Sequence, residues 1–340
     1  MVRTTMRLLL TFFFSTVLFM VAHVATDAEW KTQTQIKLPA KASTLTYSAD
    51  GSRIAVGHPD GRVTIWNVKS GTLVHLFNAH TKEVNSVQFI LGDSRLLTIG
   101  DEKRAILWST SDWSEVGRIE DVAFSGGASP DGRWLAAQDP EQAIWIWDLS
   151  TLNRVKQLTE PGKGGTKNMS FTANGRYVAT AYNGPLLIDV ETKQSVSFVM
   201  AGEKKTSVKI EKEGNQVGIS LGSMQDDDAP THRVMPSLSG SLVALGRGWY
   251  GRSTFVDVWD VNMMKRLGRY KAKDAGTLTS FSFDNSLLAI EGSQKVTIWR
   301  IANGKQVASV QSDGIMQFSP KAMELAATDG DNLLIYVPKQ

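Results

Sequence analysis

The 340-residue sequence predicts an all-β protein made of seven copies of a four-stranded antiparallel unit. The residues that close the third strand of each unit are Trp66, Trp108, Trp147, Ile188, Trp259, Trp299 and Tyr336. They follow one another at intervals of 42, 39, 41, 71, 40 and 37 residues, so a period of about forty recurs. An aliphatic residue follows six of them after eight positions, at Val74, Val116, Val155, Val196, Leu267 and Val307.

Turn sequences fit the same unit. SADG, SPDG and TANG, at residues 48–51, 129–132 and 172–175, separate the predicted first and second strands of three units. Their Asn, Asp and Gly residues readily take the positive φ that tight hairpins need. Units of about forty residues with four short strands are typical of the blades of a β-propeller. We therefore expect a seven-bladed β-propeller.

The two ends of the chain predict how the ring closes. Only four residues follow Tyr336, too few for a fourth strand in the last unit. The segment TQTQIKLPA, residues 32–40, precedes the first complete unit and alternates polar with apolar residues. We predict that it forms the outer strand of blade 7, which removes two open sheet edges.

The first 28 residues read as a targeting segment. Arg3 and Arg7 precede a mostly apolar run from 8 to 24, and acidic Asp27 follows it. This order is typical of a secretory signal cut after Ala28, and the run is also nearly long enough for a membrane anchor. A helix of the folded domain is disfavoured because the run lies at the terminus, before an all-β pattern. Either main alternative places residues 29–340 outside the cytoplasm, and membrane contact would pass through residues 8–24.

The repeats resemble the WD-repeat β-propeller family. The segment AHTKEVNSVQF, residues 79–89, is similar to the Gly-His entry of that family's repeat, and the pair WD occurs at 147–148 and 259–260. The resemblance implies a buried polar tetrad in blade 2, formed by His80, Thr98 and Trp108 with Asp101 or Glu102, of which Asp101 is our first choice. Blade 1 offers Asp60 and Trp66 but lacks an entry His, so this is a divergent member.

One insertion interrupts the period. The 71-residue interval holds about 30 extra residues, near 203–232, with a predicted hairpin around Gly214 and an acidic loop containing Asp226, Asp227 and Asp228. The resemblance implies that links between blades lie on the top face, where such propellers commonly bind partners. The alternatives are a decorated surface loop with no role, or a hairpin that is half of an eighth blade.

Two further places carry aromatic residues of interface type. Arg247, Trp249, Tyr250 and Arg252 cluster in the link between the second and third strands of blade 5, also on the top face. Aromatic and Arg side chains together are the composition of interface hot spots. Packing under the insertion is an equal alternative. Trp113 lies in a turn, and we expect it to be exposed on the opposite face.

Composition excludes several classes of function. The chain has no Cys, so disulfides and thiolate metal sites are excluded, and a secreted propeller without Cys favours a bacterial periplasm. A net charge of +3 argues against a nucleic-acid surface. We find no catalytic motif, no metal-ligand spacing among the four His of the domain and no cofactor fingerprint. We therefore predict a non-enzymatic scaffold for protein partners in a membrane or envelope complex. An enzyme with a site in the central channel, such as a hydrolase, lactonase or quinone-dependent dehydrogenase, is the alternative.

Overall fold

The structure is a computed structural model that describes residues 29–162, 169–172, 175–180, 186–197, 208–213, 216–221, 231–249, 252–263, 265–275, 279–292 and 294–339. Within these ranges every regular element is a β-strand. Residues 1–28, the segment predicted as signal or anchor, lie outside the described part. In that described part, no helix is long and apolar enough to cross a bilayer.

Seven four-stranded antiparallel sheets form the blades, each with strands a to d from the inner to the outer edge. Blade 1 contains β2 (Thr44–Tyr47), β3 (Arg53–Gly57), β4 (Arg62–Asn67) and β5 (Leu73–Asn78). Blade 2 contains β6 (Val84–Ile90), β7 (Arg95–Gly100), β8 (Arg104–Ser109) and β9 (Glu115–Glu120). Blade 3 contains β10 (Ala123–Ala128), β11 (Trp134–Gln138), β12 (Ile144–Asp148) and β13 (Asn153–Gln157). Blade 4 contains β14 (Met169–Phe171), β15 (Tyr177–Thr180), β16 (Leu186–Asp189) and β17 (Ser195–Ser197).

The remaining strands follow the same order after an insertion. The insertion contributes β18 (Val208–Glu213) and β19 (Gln216–Leu221). Blade 5 contains β20 (Thr231–Pro236), β21 (Leu242–Trp249), β22 (Arg252–Asp260) and β23 (Lys265–Ala275). Blade 6 contains β24 (Thr279–Phe281), β25 (Leu287–Glu291), β26 (Lys295–Arg300) and β27 (Gln306–Gln311). Blade 7 contains β28 (Met316–Phe318), β29 (Leu325–Asp329), β30 (Asn332–Pro338) and, as its outer strand, β1 (Trp30–Lys37).

The predicted ring closure is confirmed. Strand β1 pairs antiparallel with β30, from Trp30 opposite Pro338 to Lys37 opposite Asn332. Ile36 is buried in this strand, and the ring of Trp30 packs edge-on against Phe318 at 6.0 Å. The two ends of the described chain also meet, because the Lys339 N–H donates to the Glu29 carbonyl at 2.6 Å.

The core lies between neighbouring blades. Because side chains of a strand alternate between the two faces of its sheet, each blade offers an apolar layer to both neighbours. Ile54 and Val56 of blade 1 pack with Leu333 and Ile335 of blade 7, while Ile65 of blade 1 packs toward blade 2. The third-strand Trp residues predicted from the period are components of these layers, which explains why the period is visible.

Short turns on one side of the ring, here called the bottom face, join strand a to b and strand c to d. In the a–b turn of blade 1 the Gly51 N–H donates to the Ser48 carbonyl at 2.9 Å, and Gly51 takes a φ of 75°. The Ser48 hydroxyl donates to Asp50 at 2.6 Å. Links from d to the next a, and from b to c, lie on the other side, here called the top face.

The insertion does not add half a blade to the ring. Strands β18 and β19 pair with each other from Val208 opposite Leu221 to Glu213 opposite Gln216, as a separate two-stranded sheet. Strands β14 and β15 of blade 4 contact β20 of blade 5 directly, and the two blades share one apolar cluster, so no half-blade lies between them. The eighth-blade alternative is therefore wrong for the strands that the structure describes. The acidic stretch with Asp226, Asp227 and Asp228 lies outside the described residues.

Candidate protein-interaction face

Blade 5 rises above the top face. Strand β22 has nine residues and β23 has eleven, whereas the corresponding strands of blade 1, β4 and β5, have six each. Leu242 pairs with Asp260 at the bottom end, as Arg53 pairs with Asn67 in blade 1, so the additional residues lie at the top. At about 3.3 Å per residue, the three and five additional residues extend the blade by roughly 10 to 16 Å.

The tip of this extension carries the residues singled out for aromatic and Arg content. Trp249 pairs with Arg252 as the last pair of the b–c hairpin, and Arg247 pairs with Phe255. Tyr250 falls between the two strands, outside the described residues. The backbone thus brings Arg247, Trp249 and Arg252 together at the most projecting part of blade 5.

The inserted hairpin lies beside blade 4. Strand β19 contacts β17, the outer strand of blade 4, although the two are not hydrogen-bonded as one sheet. In sequence it lies between blade 4 and the extended blade 5. The connection from blade 4 to blade 5 therefore differs from the corresponding connections of blades 1 to 3.

A buried ion pair fixes the outer strand at the base of the extension. The Asp257 carboxylate is fully buried and accepts two hydrogen bonds from the Arg269 guanidinium, at 2.8 and 3.0 Å. Arg266 lies at 4.0 Å from the same carboxylate, and the Arg269 guanidinium sits over the Phe255 ring at 5.2 Å. Two parallel hydrogen bonds impose one geometry, so β22 and β23 are held in register where the blade leaves the ring.

Blade 2 contains a buried polar network beside the top face. The Trp108 indole N–H donates to the Thr98 hydroxyl at 2.9 Å, and Thr98 bonds to Nε2 of His80 at 2.7 Å. Nδ1 of His80 lies 2.7 Å from Oε1 of Glu102. An indole N–H only donates and a carboxylate only accepts, so the neutral imidazole holds its proton on Nδ1 and accepts from Thr98.

The carboxylate of this network is Glu102, which corrects the choice of Asp101. Lys103, with a φ of 68°, closes a tight turn by donating its N–H to the Gly100 carbonyl at 3.1 Å, and this turn places Glu102 over the imidazole. A Cβ at Gly100 would lie 2.2 Å from Oε2 of Glu102 and 2.4 Å from Nδ1 of His80. The missing side chain at Gly100 therefore makes room for the pair.

Blade 1 has a second network, which sequence reasoning missed. His58 is fully buried, and its Nε2 lies 2.9 Å from the Thr64 hydroxyl, which also accepts from the Trp66 indole at 2.9 Å. Nδ1 of His58 lies 3.0 Å from the Lys41 carbonyl. The imidazole comes from the b–c turn instead of the link before the blade, so a search for an entry His passes over it. Thr64 and Trp66, two positions apart on one strand, were the available signal.

We expect removal of the Thr98 hydroxyl to destabilise the protein. Thr98→Val keeps the shape but leaves the His80 and Trp108 nitrogens unpaired in a buried site, at a cost of about 1–3 kcal/mol. Urea unfolding followed by fluorescence measures this difference. The double variant Thr98→Val with Trp108→Phe removes the indole N–H as well, so the Trp108 position no longer leaves a buried donor unpaired. Its cost should be smaller than the sum of the two single costs; full additivity would contradict the network.

The two buried imidazoles predict how stability depends on pH. Burial lowers the pKa of His80 and of His58 below the ordinary value; for His80, the opposing effect of the Glu102 carboxylate is smaller. Both are therefore neutral in the fold, whereas in the unfolded chain they gain protons near pH 6.5. The free energy of unfolding should fall as the pH drops below about 6.5, since the unfolded state then binds more protons. Urea unfolding at pH 8 to 5 tests this, and His80→Asn should flatten the dependence. An unchanged slope in His80→Asn would contradict the assignment.

Trp113 is less exposed than predicted. It lies in the c–d turn of blade 2 on the bottom face, with a φ of 60°, and its ring stacks on His75 at 5.1 Å with planes 10° apart. Phe77 lies 6.0 Å from it, so the ring is partly buried against the outer strand of blade 1. The expectation of an exposed ring is corrected, because the turn folds Trp113 back onto the neighbouring blade.

Uncharged polar side chains of three inner strands bond to the backbone of the neighbouring blade. Gln88 accepts from the Ala128 N–H at 2.9 Å, Gln317 accepts from the Tyr47 N–H at 3.0 Å, and Ser280 accepts from the Phe318 N–H at 2.9 Å. These side chains tie the open edge of one inner strand to the next. Across the described residues, no group of three or more His, Asp or Glu side chains is placed to hold a metal ion.

The chain is similar to WD40 proteins in sequence and in structure. Residues 20–91 match the family described as the anaphase-promoting complex subunit 4 WD40 domain. The pre-rRNA-processing protein IPI3 of Mycosarcoma maydis is 25% identical over 142 residues, 34% of this chain and 24% of that protein. THO complex subunit 3 of Arabidopsis thaliana is 26% identical over 168 residues, 47% of this chain and 51% of that protein.

A solved structure extends the likeness to the whole ring. The β-propeller domain of Myceliophteria thermophila Cps50 (Swd1) superposes with a TM-score of 0.71 at 14% identity, covering 91% of this chain and all of that chain. At this identity the likeness shows the fold alone, and this chain spans only a quarter to a half of the two curated relatives. Together, the matched WD40 segment, the WD-repeat relatives and the seven-bladed ring support a WD-repeat β-propeller.

Proposed function

We propose that the protein is a non-enzymatic scaffold that binds a protein partner on its top face, as a subunit or assembly factor of a membrane or envelope complex. Residues 1–28 would place it outside the cytoplasm, in the bacterial periplasm, either as a cleaved signal or as an anchor. The top rim between blades 4 and 5 is the proposed binding site. No cofactor enters this proposal.

The extension of blade 5 is the observation that carries the proposal. An ordinary blade closes its b–c turn close to the ring, but β21 and β22 continue to Trp249 and Arg252, and β23 follows them upward to Ala275. The corresponding strands of blade 1 close the ring without these additional residues, so ring packing does not require them. A partner that covers the projecting tip supplies one.

Two further points support a scaffold. THO complex subunit 3, a relative of this chain, is by its name a subunit of a complex. The family that matches residues 20–91 is likewise named for a subunit of the anaphase-promoting complex. Three inner-strand side chains, Gln88, Ser280 and Gln317, bond to neighbouring backbone groups and so join adjacent blades of the ring.

Charge reversal at the tip tests the proposal. The full chain carries an affinity tag and is isolated from gently solubilised envelopes of its native host. The double variant Arg247→Glu with Arg252→Glu should lose its stoichiometric partner, because loss of hot-spot arginines costs about 2 kcal/mol or more, at least tenfold in affinity.

A matched control changes net charge equally on the bottom face. Lys305→Glu with Lys321→Glu alters two exposed turn residues of blades 6 and 7 and should keep the partner. Retention of the partner by the tip variant, or equal loss in both variants, would contradict the proposed site.

A further inference from the structure

On the bottom face, the turns of blades 5 and 6 carry three large apolar side chains that are exposed. Leu238 in the a–b turn of blade 5 is 51% exposed, Met263 in its c–d turn 63%, and Phe283 in the a–b turn of blade 6 is 42% exposed. We call these three residues the bottom patch. Each sits where the chain reverses, with no strand of the same sheet beyond it.

Hydrogen bonds between the three turns hold the patch together. The Asn285 side chain of the blade 6 turn donates to the Ser239 hydroxyl at 2.8 Å and to Ser241 at 3.4 Å, both in the blade 5 turn. The Val261 N–H, at the start of the c–d turn, donates to the Ser241 carbonyl at 2.9 Å. The bottom patch is therefore one contiguous surface across two neighbouring blades.

Turn geometry does not require apolar residues at these positions. Blades 1, 3 and 7 show this, because Ala49, Pro130 and Pro320 take the place of Leu238 and Phe283 there. Blade 2 has Leu91 at this position, 46% exposed, but its side chain lies against Gly132 in the neighbouring turn of blade 3. The residues in the place of Met263 are all polar: Ser70, Asp112, Thr151, Thr192 and Asn303. The same backbone turn thus forms without an exposed apolar side chain. A contact with a surface outside the ring would account for the three apolar residues of the bottom patch.

The chain also enters the ring on the bottom face. Trp30 pairs with Pro338 at the end of the last c strand, next to the Glu29–Lys339 contact. Five residues, 25–29, separate this point from the apolar run 8–24. At about 3.3–3.6 Å per residue they span less than roughly 18 Å. An apolar run that sits in a bilayer therefore holds blade 7, and blade 6 beside it, close to that bilayer.

We propose that the bottom patch rests in the interface of a lipid bilayer, so that the ring lies with its bottom face on the membrane and its top face toward the partner. This inference rests on the anchored form of the proposed function. The chemistry fits an interfacial contact, because the three apolar side chains stand among exposed charges of both signs. These charges are Asp284 and Lys265 beside the patch, and Lys305 and Lys321 in the neighbouring bottom turns.

Site-specific probes test this placement. The chain has no Cys, so single substitutions Met263→Cys and Phe283→Cys label cleanly with a polarity-sensitive fluorophore. The full chain is reconstituted in vesicles of phosphatidylethanolamine and phosphatidylglycerol. Both probes should shift to the blue and be quenched by lipids with a spin label near the headgroup. Thr81→Cys and Glu141→Cys, both at exposed positions in top-face links, are controls that should show neither effect.

Flotation of the same vesicles separates the two claims. If the protein floats and the Met263 and Phe283 probes remain in water, the bottom-patch inference is overturned while the anchor stands. If the full chain does not float, the anchor fails and this inference falls with it, whereas binding of a partner at the top face is unaffected. A probe at Asn303, in the c–d turn of blade 6, should also be quenched in the parent protein. The triple variant Leu238→Ala, Met263→Thr and Phe283→Ala uses residues found at equivalent turns, so it should fold normally. In this variant the quenching at Asn303 should be lost.

Discussion

A chain that starts at Pro39, and so lacks β1, should fail to yield a stable monomer. Loss of β1 leaves β30 as an unpaired sheet edge and exposes the core that Ile36 covers. The substitution Ile36→Ala alone should lower the free energy of unfolding by about 2–5 kcal/mol. Bare apolar strand edges promote association with other chains. Urea unfolding with sedimentation velocity should show lower stability together with aggregates.

A circular permutant provides the control for this prediction. Because the Lys339 N–H lies 2.6 Å from the Glu29 carbonyl, a short linker can join the C-terminus to Glu29, and the chain can restart at Lys41. Blade 7 then becomes one continuous four-stranded sheet that contains the same residues. The permutant should unfold at a urea concentration near that of the parent. If the truncated chain is as stable as the permutant, β1 does not close the ring.

Gly61→Ala should strongly destabilise the protein. Gly61 has a φ of 85°, where an Ala costs about 1–2 kcal/mol, and its added Cβ would lie 2.1 Å from the His80 carbonyl oxygen. The Gly61 carbonyl accepts from the Ala79 and His80 N–H groups at 3.0 and 2.9 Å, so the b–c turn and the entry link cannot separate freely. We expect a total loss of roughly 3 kcal/mol or more.

Gly304→Ala separates backbone strain from the steric clash. Gly304 has a φ of 67°, and nothing lies within 4 Å of its added Cβ. Its loss should therefore stay at about 1–2 kcal/mol. Equal midpoints for Gly61→Ala and Gly304→Ala in urea unfolding would show that the close contact at His80 does not determine the loss.

The period of third-strand residues was sufficient to predict the ring. Trp66, Trp108 and Trp147 recur because each packs in the apolar layer between two blades. The same packing site occurs in each blade, so the same residue type recurs in the sequence. The closing strand was predictable for a related reason, since an edge must be covered and only residues 32–40 remained. The observed strand, Trp30–Lys37, begins two residues earlier, because Trp30 finds a packing site at Phe318.

The polar networks were only partly predictable. His80, Thr98 and Trp108 follow from the resemblance, but Asp101 and Glu102 are adjacent, and the turn alone decides which carboxylate reaches the imidazole. His58 escaped notice because it approaches Thr64 from a different connection. The direction of the Glu102 side chain depends on the backbone conformation of the turn 101–103, in which Lys103 takes a positive φ. The spacing of residues in the sequence does not predict that conformation.

The site itself was predictable in place but not in shape. The 71-residue interval located the insertion, and the composition of residues 247–252 drew attention to blade 5. The lengthening of β21, β22 and β23 was not foreseen, because residues 246–254, which contain three glycines, were interpreted as the link between the second and third strands. Pairing of Arg247 with Phe255 and of Trp249 with Arg252 instead continues the two strands into this link. Trp113 was misjudged for the opposite reason, since a turn residue can fold back onto a neighbour.

Photo-crosslinking from the tip of blade 5 tests the central claim most directly. A photoreactive amino acid replaces Tyr250 in the full chain, expressed in its native host, and a second chain carries the same group at Asn303 on the bottom face. A scaffold that binds through the blade 5 rim should give one discrete protein adduct from position 250 and none of the same mass from position 303. The same adduct from both positions, or an adduct from position 303 alone, would contradict the claim.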